Sequence, residues 1–378
     1  MTVPDQESGE ASTRAPARSR TDVLLVGDGR NIHVRRLAEA LASNGLRIDL
    51  ACFEGDPIPG VRLHRVGSLP PANDLRYPLA IPRLARLIRA LRPQLVHGVF
   101  VSSYGLMTGL AVPLARAAGT RTTLVQSALG SDLLVKPRNS RIRRGLAAFT
   151  LRTADLVTHN SDSLGEVIGR LAPGAPVHRF VWGPERSLME APRRSERIAL
   201  STRRMEPDMR VDLVVRAWRR ARELDPGRLD GWRLVVTHEG TEAGNVRDAA
   251  GDDPTIGLVG VLPYDELQET LLRARVMISS PRSDATSAAL MDAFAAGLVP
   301  VVNAIPGTLE WVDESSGEIV PRDPTVDELA AAIVRAVKRD PAPEAARARV
   351  AGIVWEDEVP RLIEAYRGLG LVVAAPRA

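Results

Sequence analysis

Short apolar segments alternate with longer amphipathic segments along the chain from Thr21 onward. The first apolar segment, TDVLLVG, is rich in β-branched residues and ends at Gly27. The next segment carries Leu37 and Leu41 at the spacing of one helix face and ends near Gly45. Short apolar runs bounded by Gly or Pro are typical of buried strands, and the helical spacing predicts an amphipathic helix. Because repeated strand–helix pairs need crossover connections, the pattern predicts an α/β protein with parallel sheets.

The same pattern occurs twice, on either side of a polar stretch rich in Pro and Arg at residues 182–197. In the first half the predicted strands are TDVLLVG, RIDLACF, PQLVHGVF, TRTTLVQSA and DLVTHN, with a loop predicted between RIDLACF and about Gly67. In the second half they are RIALSTRR, WRLVVTHEG, TIGLVGVL, VMISSP, VPVVNA and GEIVP. We therefore expect two Rossmann-like domains, residues 21–190 and 191–355, joined by a hinge. Ligands of such sheets bind at the carboxyl ends of the strands, so the site is expected in an interdomain cleft.

The ends of the chain and its cysteine content concern where the protein acts. Residues 1–20 are polar and lack an apolar signal-peptide segment, so they predict a disordered tail. No stretch approaches the ~18 apolar residues of a transmembrane helix. The single cysteine, Cys52, excludes an intrachain disulfide and fits a reducing compartment. We expect a cytoplasmic protein that contacts the inner membrane face at most peripherally, through a patch such as residues 138–152.

The charge of the chain does not indicate a nucleic-acid partner. Its 50 basic and 46 acidic residues give a net charge of +4, although the isoelectric point is about 9.7. The basic clusters at residues 138–152 and 216–222 fall in amphipathic helical patterns, whereas a nucleic-acid binder would place aromatic residues among its basic ones. The six histidines are scattered, without the spacing of metal ligands. We therefore expect neither nucleic acid nor a metal; the sequence does not indicate an oligomeric state.

The strongest chemical signal is the segment SSPRSDATSAALMDAFAAGLVPVV. It predicts a buried strand at residues 276–280, a polar loop at 281–285 and a helix that runs to Ala296, with Thr286 or Ser287 as its N-cap. Unpaired backbone N–H groups at the start of this helix would point toward the carboxyl end of the strand, where they can bind a phosphate. These groups belong to Ala285, Thr286, Ser287 and Ala288.

Two carboxylates accompany the predicted helix. Asp284 lies in the loop and Asp292 follows eight residues later, so both face roughly the same side. In one interpretation they accept hydrogen bonds from the hydroxyl groups of a sugar and of a ribose. In the other they are structural, with Asp284 capping the loop and Asp292 forming a salt bridge. The spacing alone does not decide between the two.

This segment is similar to the Glu-x7-Glu signature of the family-4 glycosyltransferases, and five other segments resemble further motifs of that family in the same order. VGDGRNIHVRRLAEALASNG resembles the opening strand, loop and helix of a subgroup whose loop reads SIHTxRW. LVHGVFVSSYG and SALGSDLL resemble the family's HAHxxSSYG and xxGSDxL segments. RTADLVTHNSDS resembles its ADxVxxxS strand, and STRRMEPDMRVDLVVRAW resembles the RxLEPxxxxD stretch that opens the second domain. The resemblance covers nearly the whole chain from Thr21, and the sequence is identified as a member of this family.

The resemblance implies the GT-B fold, in which two Rossmann-like domains face each other across a cleft. It also implies transfer of a sugar, with retention of configuration, from a nucleoside diphosphate held mainly by the C-terminal domain, without a metal or other cofactor. The acceptor would be a hydroxyl group of a glycan, a lipid-linked intermediate or a specialised metabolite. A C-terminal helix at residues 356–370 is expected to pack back on the first domain, as in other members of the family.

The resemblance further implies roles for individual residues. The expected catalytic residues are Asp284, on the hydroxyl groups of the donor sugar, Arg204, on the departing diphosphate, and His97. The residues expected to bind the donor are Arg203, Arg210, Gly240, Val261, Leu262, Ala285, Thr286, Ser287, Ala288 and Asp292. The residues expected on the acceptor side of the cleft are Gly27, Gly29, Asn31, His33 and Asp132.

Within the donor group the implied contacts differ. Asp292 would bind the ribose, and the amides from Ala285 onward would bind the pyrophosphate. Gly240 would let the donor approach the backbone, and Val261 and Leu262 would lie beside the nucleobase.

The sequence departs from the family pattern at several positions. Both acids of the Glu-x7-Glu signature are aspartates. The usual lysine of the phosphate-binding pair falls near Met209, where Arg210 would replace it, and the second His of HAHxxSSYG is Val99. These departures keep open a non-catalytic protein that binds nucleotide sugars. A sugar-nucleotide epimerase, which also uses two facing Rossmann-like lobes, is a further alternative.

Overall fold

The computed structural model describes residues 21–68, 75–135 and 140–373, which form two domains of parallel sheet covered by helices. The predicted tail at residues 1–20 and positions 138–139 of the basic patch lie outside the described residues. None of the helices in the described ranges has the length and apolar character needed to cross a membrane. The predicted α/β architecture of two Rossmann-like domains with parallel sheets is confirmed.

The first domain is built on a seven-stranded parallel sheet with the order β3-β2-β1-β4-β5-β6-β7. Its strands are β1 (Val23–Val26), β2 (Ile48–Cys52), β3 (Val61–Arg65), β4 (Leu95–Val99), β5 (Thr123–Ala128), β6 (Leu156–His159) and β7 (Val177–Arg179). The central strands β1, β2 and β4 are buried on both faces, which explains their continuous apolar runs. The strand order reverses at β1, which pairs with both β2 and β4.

The second domain repeats this arrangement in a six-stranded parallel sheet with the order β10-β9-β8-β11-β12-β13. Its strands are β8 (Ile198–Ser201), β9 (Arg233–Thr237), β10 (Ile256–Gly260), β11 (Val276–Ser279), β12 (Val299–Asn303) and β13 (Glu318–Val320). The reversal lies at β8, which pairs with both β9 and β11.

Helices connect the strands and cover both sheets. In the first domain they are α1 (Ile32–Ser43), α2 (Arg76–Leu91), α3 (Tyr104–Ala117), α4 (Ser131–Leu134), α5 (Arg141–Thr153) and α6 (Asp162–Leu171). From the linker onward they are α7 (Arg186–Glu190), α8 (Val211–Leu224), α9 (Ala243–Ala250), α10 (Tyr264–Arg273), α11 (Ala288–Ala295), α12 (Pro306–Leu309), α13 (Val326–Ala336), α14 (Pro343–Val350) and α15 (Trp355–Gly368). Several begin at a side chain that accepts a backbone N–H of the first turn, as the N-cap preference of Asn, Ser and Thr predicts. These caps are Asn31, Ser140, Ser161, Ser287 and Thr325.

Each sheet has an apolar core on both faces. In the first domain Leu84 and Met107 lie in the core under α2 and α3, and the opposite face packs against α1 and α15. In the second domain Trp218 of α8 is fully buried on one face of the sheet, and Phe294 of α11 is fully buried on the other. The two cores fix the strand ends from which the functional loops extend.

Helix α15 returns from the second domain to the first. Tyr366 is fully buried among side chains of the first sheet, and Trp355 stacks on Trp182 with their ring centroids 5.5 Å apart. Tyr366 Oη lies 2.6 Å from Nδ1 of His97 in β4, and Nε2 of the same histidine lies 2.7 Å from Ser127 Oγ in β5. The C-terminal helix is therefore fastened to the first sheet by apolar packing and by a buried hydrogen-bond chain.

The sequence pattern misses some elements of the structure. Strand β3 lies in the segment predicted as a loop up to about Gly67, and β7 is also absent from the predicted strands. Both are edge strands, with the polar sequences VRLHR and VHR, so they lack the apolar run of a strand buried on both faces. Helix α9 is missed because the short sequence AGNVRDAA buries little apolar surface.

Candidate active site

The two places where the sheet order reverses lie at β1 in the first domain and at β8 in the second. At such a point the connections leave neighbouring strands toward opposite faces, which opens a crevice at the carboxyl ends of the strands. In the second domain the loops after β8 and β11 carry Arg203 and Asp284. In the first domain the loop after β1 leads into α1, which carries His33. The candidate site is built from these loops.

Arg203 and Asp284 form a hydrogen-bonded ion pair at the crevice of the second domain. Nη2 of Arg203 donates to Oδ2 of Asp284 at 2.6 Å, and its Nη1 donates to Oγ of Ser287, also at 2.6 Å. The two charged side chains are 11% and 18% exposed, so the pair is largely desolvated but still accessible. A guanidinium held at two points in this way can bind an oxyanion through its remaining N–H groups.

The N-terminus of α11 supplies a second set of hydrogen-bond donors. Ser287, one of the two residues predicted for this position, is the N-cap. Within the described residues, the N–H groups of Thr286, Ser287 and Ala288 have no acceptor, whereas that of Ala285 donates to Oδ1 of Asp284 at 3.0 Å. Three of the four amides predicted to bind an anion are therefore available to a ligand.

The side chain of Arg210 is buried among the loops at the strand ends of the second domain. Its side chain is only 8% exposed and donates to the carbonyl groups of Ser280 at 2.7 Å and Pro281 at 3.3 Å, and to Asp323 at 3.1 Å. These bonds use all three of its side-chain nitrogen atoms and fasten the loop that leads to Asp284. Arg210 therefore positions this loop, and its expected contact with the donor stays a prediction.

The two adjacent arginines after β8 occupy different environments. Nη2 of Arg203 lies 3.0 Å from Sδ of Met209, so a guanidinium group stands beside the position where the family has a lysine. Arg204 is 71% exposed and pairs with Glu206 at 3.4 Å. The pKa of His238, at the end of β9, is lowered mainly by burial and also by these two arginines. Arg203 is thus built into the crevice, and Arg204 lies at its rim.

Asp292 faces groups from both domains. Burial raises the pKa of its carboxyl group to about 7, with Arg36 of α1 lowering it and Glu185 of the linker raising it. The pKa of Tyr264, at the start of α10, is raised by burial and further by the nearby Asp292 carboxylate. Nη2 of Arg36 lies 3.9 Å from Oε1 of Glu185. Asp292 is therefore placed in the cleft, where a carboxylate can accept hydrogen bonds from a ligand with hydroxyl groups.

His33 brings the first domain to the same place. The pKa of its imidazole is lowered to about 4, mainly by burial and also by Arg36, while Asp284 raises it. The ring packs edge-on against Trp182 with the centroids 5.1 Å apart. The influence of Asp284 on His33 means that α1 and the loop after β11 approach each other. The imidazole is neutral at pH 7 and can donate one hydrogen bond and accept another.

The loop between β1 and α1 is shaped by close packing. A β-carbon at Gly27 would lie 2.9 Å from the side chain of Val34, and one at Gly29 would lie 2.7 Å from the carbonyl oxygen of Glu54. Oδ1 of Asn31 accepts the N–H of the second helical residue at 2.9 Å and so caps α1. These residues hold the loop that orients His33, and their expected contact with an acceptor stays a prediction.

His97 and Asp132 are corrected by their burial. His97 is fully buried within β4, and both ring nitrogen atoms are engaged by the hydroxyl groups of Tyr366 and Ser127. Asp132 is 1% exposed, and its carboxylate accepts backbone N–H groups from the loops after β4 and β5 at 2.8 and 3.0 Å. The catalytic role expected of His97 does not fit this position, because the ring has no path to a substrate. Asp132 ties two loops together beneath the cleft, so both are positioning residues.

The residues expected beside a nucleobase follow β10, the edge strand of the second sheet. Val261 is 66% exposed and Leu262 is partly buried, both directly after β10. Gly240 also serves the packing of the protein, because a β-carbon there would collide with the carbonyl group of Met205. The glycine is required for packing of the loops after β8 and β9. The expected approach of a donor to its backbone stays a prediction.

The loop after β11 is held directly against the first domain. Ala285 is fully buried, and its β-carbon lies 3.1 Å from where a β-carbon of Gly130 would be. Nδ2 of Asn160 donates to the carbonyl group of Thr286 at 3.2 Å. Across the same interface the carboxylate of Glu310 accepts two N–H groups at the start of α6, each at 2.9 Å. The two crevices therefore face one another across a shared cleft.

A cavity of about 600 Å³ opens at this interface and includes Asp284 in its wall. The first domain contributes residues of α4, α5 and α6, and the second contributes the loops after β11, β12 and β13. Arg144, Arg282 and Arg322 line it from both domains. We refer to it below as the arginine cavity. Over the described residues, no three His, Cys, Asp or Glu side chains are grouped as a metal site would require.

Several residues of the cleft are not among those predicted from the sequence. Arg36 occupies the place of the arginine in the SIHTxRW motif that the first domain resembles, so the resemblance could have revealed it. Glu185 and Tyr264 show no comparable signal, because only the fold brings them to Asp292. The residues of the arginine cavity are likewise assembled from separate elements.

Comparison with protein families gives two matches that cover different parts of the chain. Residues 22–161 match the family described as glycosyl transferase 4-like, and residues 189–352 match glycosyl transferases group 1. No curated protein matches the chain significantly.

Several solved structures are similar to the chain over nearly its full length. A sucrose-phosphate synthase from Thermosynechococcus elongatus is 19% identical, with a TM-score of 0.75 over 93% of this chain and 99% of that one. The HepE protein of Anabaena, solved with UDP-glucose, is 13% identical, with a TM-score of 0.75 over 92% and 100%. A glycosyltransferase from Rickettsia africae is 13% identical, with a TM-score of 0.67 over 93% and 99%. At these identities the likeness establishes the fold.

Proposed function

Because the chain belongs to the family-4-like glycosyltransferases of the GT-B fold, we propose that it transfers a sugar from a nucleoside diphosphate to an acceptor hydroxyl group with retention of configuration. The observation that carries the proposal is the Arg203–Asp284 pair beside the free N–H groups of α11. Cationic donors, backbone donors and a carboxylate converge there at the carboxyl end of a parallel sheet. A ligand that combines a diphosphate with sugar hydroxyl groups satisfies both kinds of side chain.

In this proposal the diphosphate binds at the N-terminus of α11. The N–H groups of Ser287 and Ala288 stand at the positive end of the helix dipole. Arg203 adds a fixed guanidinium group and supplies the charge that Met209 lacks, while Arg204 adds an exposed one at the rim. These donors stabilise the diphosphate as it leaves, when the largest negative charge develops.

The sugar and the ribose bind on either side of the diphosphate. Asp284 accepts hydrogen bonds from the donor sugar through the lone pairs that Arg203 leaves free, and Asp292 accepts them from the ribose. Val261 and Leu262 flank the base. Uridine nucleotides are the first to test, because HepE was solved with UDP and with UDP-glucose.

Transfer then requires no side-chain base. The acceptor oxygen attacks the anomeric carbon from the face that the diphosphate leaves, at a separation of about 3 Å before reaction. The bond between the anomeric carbon and the diphosphate oxygen breaks as the new glycosidic bond forms, and the acceptor's proton passes to the departing phosphate oxygen. His33, neutral and close to Asp284, provides a hydrogen bond to the reacting sugar.

Nucleotide binding and sugar transfer test the proposal in sequence. At least one of UDP, GDP, dTDP and ADP should raise the melting temperature, and its sugar conjugate should release the nucleoside diphosphate, measured by mass spectrometry. Asp284→Asn should lower turnover by about 10²-fold or more. Asp252→Asn, which changes an exposed acid of the same domain, should leave turnover unchanged. If no nucleotide raises the melting temperature, the donor site is assigned wrongly.

The same assay separates the two alternatives. An epimerase would convert the nucleotide sugar to its epimer without release of the nucleoside diphosphate and without an acceptor. A non-catalytic binding protein would show saturable binding of the nucleotide sugar and no release under any condition.

A further inference from the structure

The arginine cavity carries positive charge that the protein leaves unneutralised. Arg144 lies on α5, Arg282 in the loop after β11, and Arg322 directly after β13. All three are exposed, and within the described residues their guanidinium groups take part in no hydrogen bond or ion pair. Three cations from three separate elements therefore converge on one space without a partner.

The other charged groups of the cavity wall are already paired. Arg170 lies 3.6 Å from Glu166, one turn away on α6. Asp284 accepts a hydrogen bond from Arg203 at 2.6 Å. With these two pairs neutralised, the unpaired charge of the wall is positive. Because much of the rest of the wall is apolar, with Leu134, Val167 and Ile305 among its members, the field of the arginines is concentrated in the cavity.

The position of the cavity distinguishes it from the proposed donor site. The donor groups, namely the amides of α11, Arg203 and Asp292, belong to the second domain and the cleft beside it. The arginine cavity extends from Asp284 toward α4, α5 and α6 of the first domain. A molecule in the cavity would therefore lie next to the donor sugar, where the second substrate must approach the anomeric carbon.

We propose that the arginine cavity binds an acceptor that carries an anionic group of phosphate type, held by Arg144, Arg282 and Arg322. This inference rests on the proposed function, because it takes Asp284 as the residue that contacts the donor sugar. Phosphate oxygens accept hydrogen bonds from several guanidinium groups at once, whereas a neutral glycan would leave three neighbouring cations uncompensated. The apolar wall suits the carbon skeleton of such an acceptor. A soluble sugar phosphate and a lipid headgroup share this chemistry.

Binding of phosphate monoesters to the UDP-saturated protein tests the inference, because UDP then fills the donor site. Calorimetry should show glucose 6-phosphate binding at least about tenfold more tightly than glucose, and glycerol 3-phosphate more tightly than glycerol. The combined variant Arg144→Gln, Arg282→Gln, Arg322→Gln should abolish this preference. A matched variant, Arg83→Gln, Arg86→Gln, Arg89→Gln, removes the same charge from exposed positions of α2 and should retain it.

The results separate a failure of this inference from a failure of the proposed function. If the wild-type protein binds no nucleotide, the proposed function is wrong. If it binds UDP but neutral and phosphorylated partners bind alike, or if the cavity variant keeps the preference, only the acceptor inference is wrong. The UDP affinity of the cavity variant shows whether this variant is folded. If it is not, the single change Arg144→Gln replaces it and should reduce the preference for the phosphorylated partner by about threefold.

The source of the phosphate is distinguished by a transfer assay. Release of UDP from UDP-glucose is measured with glucose 6-phosphate, with vesicles of phosphatidylcholine, and with vesicles that also contain phosphatidylinositol. Stimulation by glucose 6-phosphate alone supports a soluble acceptor, and stimulation by the phosphatidylinositol vesicles alone supports a lipid headgroup. Equal stimulation by unphosphorylated glucose would contradict the inference.

Discussion

The two domains share one sheet topology but use its reversal point for different purposes. In the second domain the loops after β8 and β11 present Arg203 and Asp284, whose charged side chains are still partly exposed. In the first domain the corresponding loops are closed by packing: Gly29 in the loop after β1 lies against backbone of the β2–β3 connection, and the loop after β4 donates a backbone N–H to the buried carboxylate of Asp132. The fold therefore provides a crevice in each domain, and the side chains at the strand ends decide whether it can hold a charged ligand.

The first domain still reaches the site, but from a helix and not from its strand ends. His33 and Arg36 lie on the first turns of α1. Asp284 of the second domain raises the pKa of His33, and Arg36 lowers the pKa of Asp292 in the second domain. Below them His97 forms part of a buried hydrogen-bond chain to Tyr366. In the proposed function the first domain thus acts as a frame that presents α1, and the second carries most of the chemistry. The following predictions test this division.

The most severe loss is expected in the second domain. Arg203→Gln removes the guanidinium group that bridges Asp284 and Ser287, so kcat/KM for the nucleotide sugar should fall by about 10²–10³-fold. Steady-state kinetics with the active nucleotide sugar measures the effect. The matched change Arg247→Gln, at an exposed position of α9, should have no effect. Equal activity of the two variants would remove Arg203 from the site.

A smaller, pH-dependent effect is expected at Asp292. Its pKa is about 7 in the folded protein, against an ordinary value of 3.8, so the folded state retains a proton that the unfolded chain has lost. Stability should therefore fall as pH rises from about 4 to 7. Asp292→Asn lacks this titration, and its melting temperature should exceed that of the wild type by a few degrees at pH 8 but not at pH 4.

Binding should change in the opposite direction in the same variant. The ionised carboxylate is the better acceptor for ribose hydroxyl groups, so UDP should bind Asp292→Asn about tenfold more weakly at pH 8. Calorimetry at pH 8 measures this. If Asp292→Asn gains stability but binds UDP as well as the wild type, Asp292 is a buried structural acid and not a ribose ligand.

The smallest effect on activity is expected in the frame of the first domain. Tyr366→Phe removes the hydroxyl group bonded to His97 and should lower the free energy of unfolding by about 1–2 kcal/mol. UDP affinity should stay within about twofold. Tyr104→Phe is the matched control, because Tyr104 is buried in the same domain but its hydroxyl group has no hydrogen-bond partner among the described residues. Urea denaturation and UDP titration of both variants give the two quantities.

If Tyr366→Phe abolishes UDP binding while remaining folded, the hydrogen-bond chain through His97 takes part in the site, and the division between frame and chemistry is wrong. Unchanged stability would instead show that apolar packing alone holds α15.

Some of this site could be predicted from the sequence because its signals are local. A buried strand, a polar loop and a Ser N-cap follow one another within a short segment, and these features place Asp284 and Asp292 without any knowledge of distant residues. The apolar strand runs likewise predict the buried centre of both sheets. The polar edge strands β3 and β7 lack that signal.

Other parts of the site depend on partners far along the chain. The burial of His97 is completed by Tyr366, 269 residues later. The role of Arg210 depends on Ser280 and Asp323, which are brought to it from other strand ends. Tertiary contacts decide whether Arg203 or Arg204 turns into the crevice, and the local sequence carries no information about these contacts.

A crystal structure of the chain with its nucleoside diphosphate tests the central claim most directly. We expect a diphosphate within hydrogen-bond distance of the N–H groups of Ser287 and Ala288 and of the guanidinium group of Arg203, with the ribose at Asp292. A diphosphate bound instead at the β1–α1 loop of the first domain, away from Arg203, would contradict it.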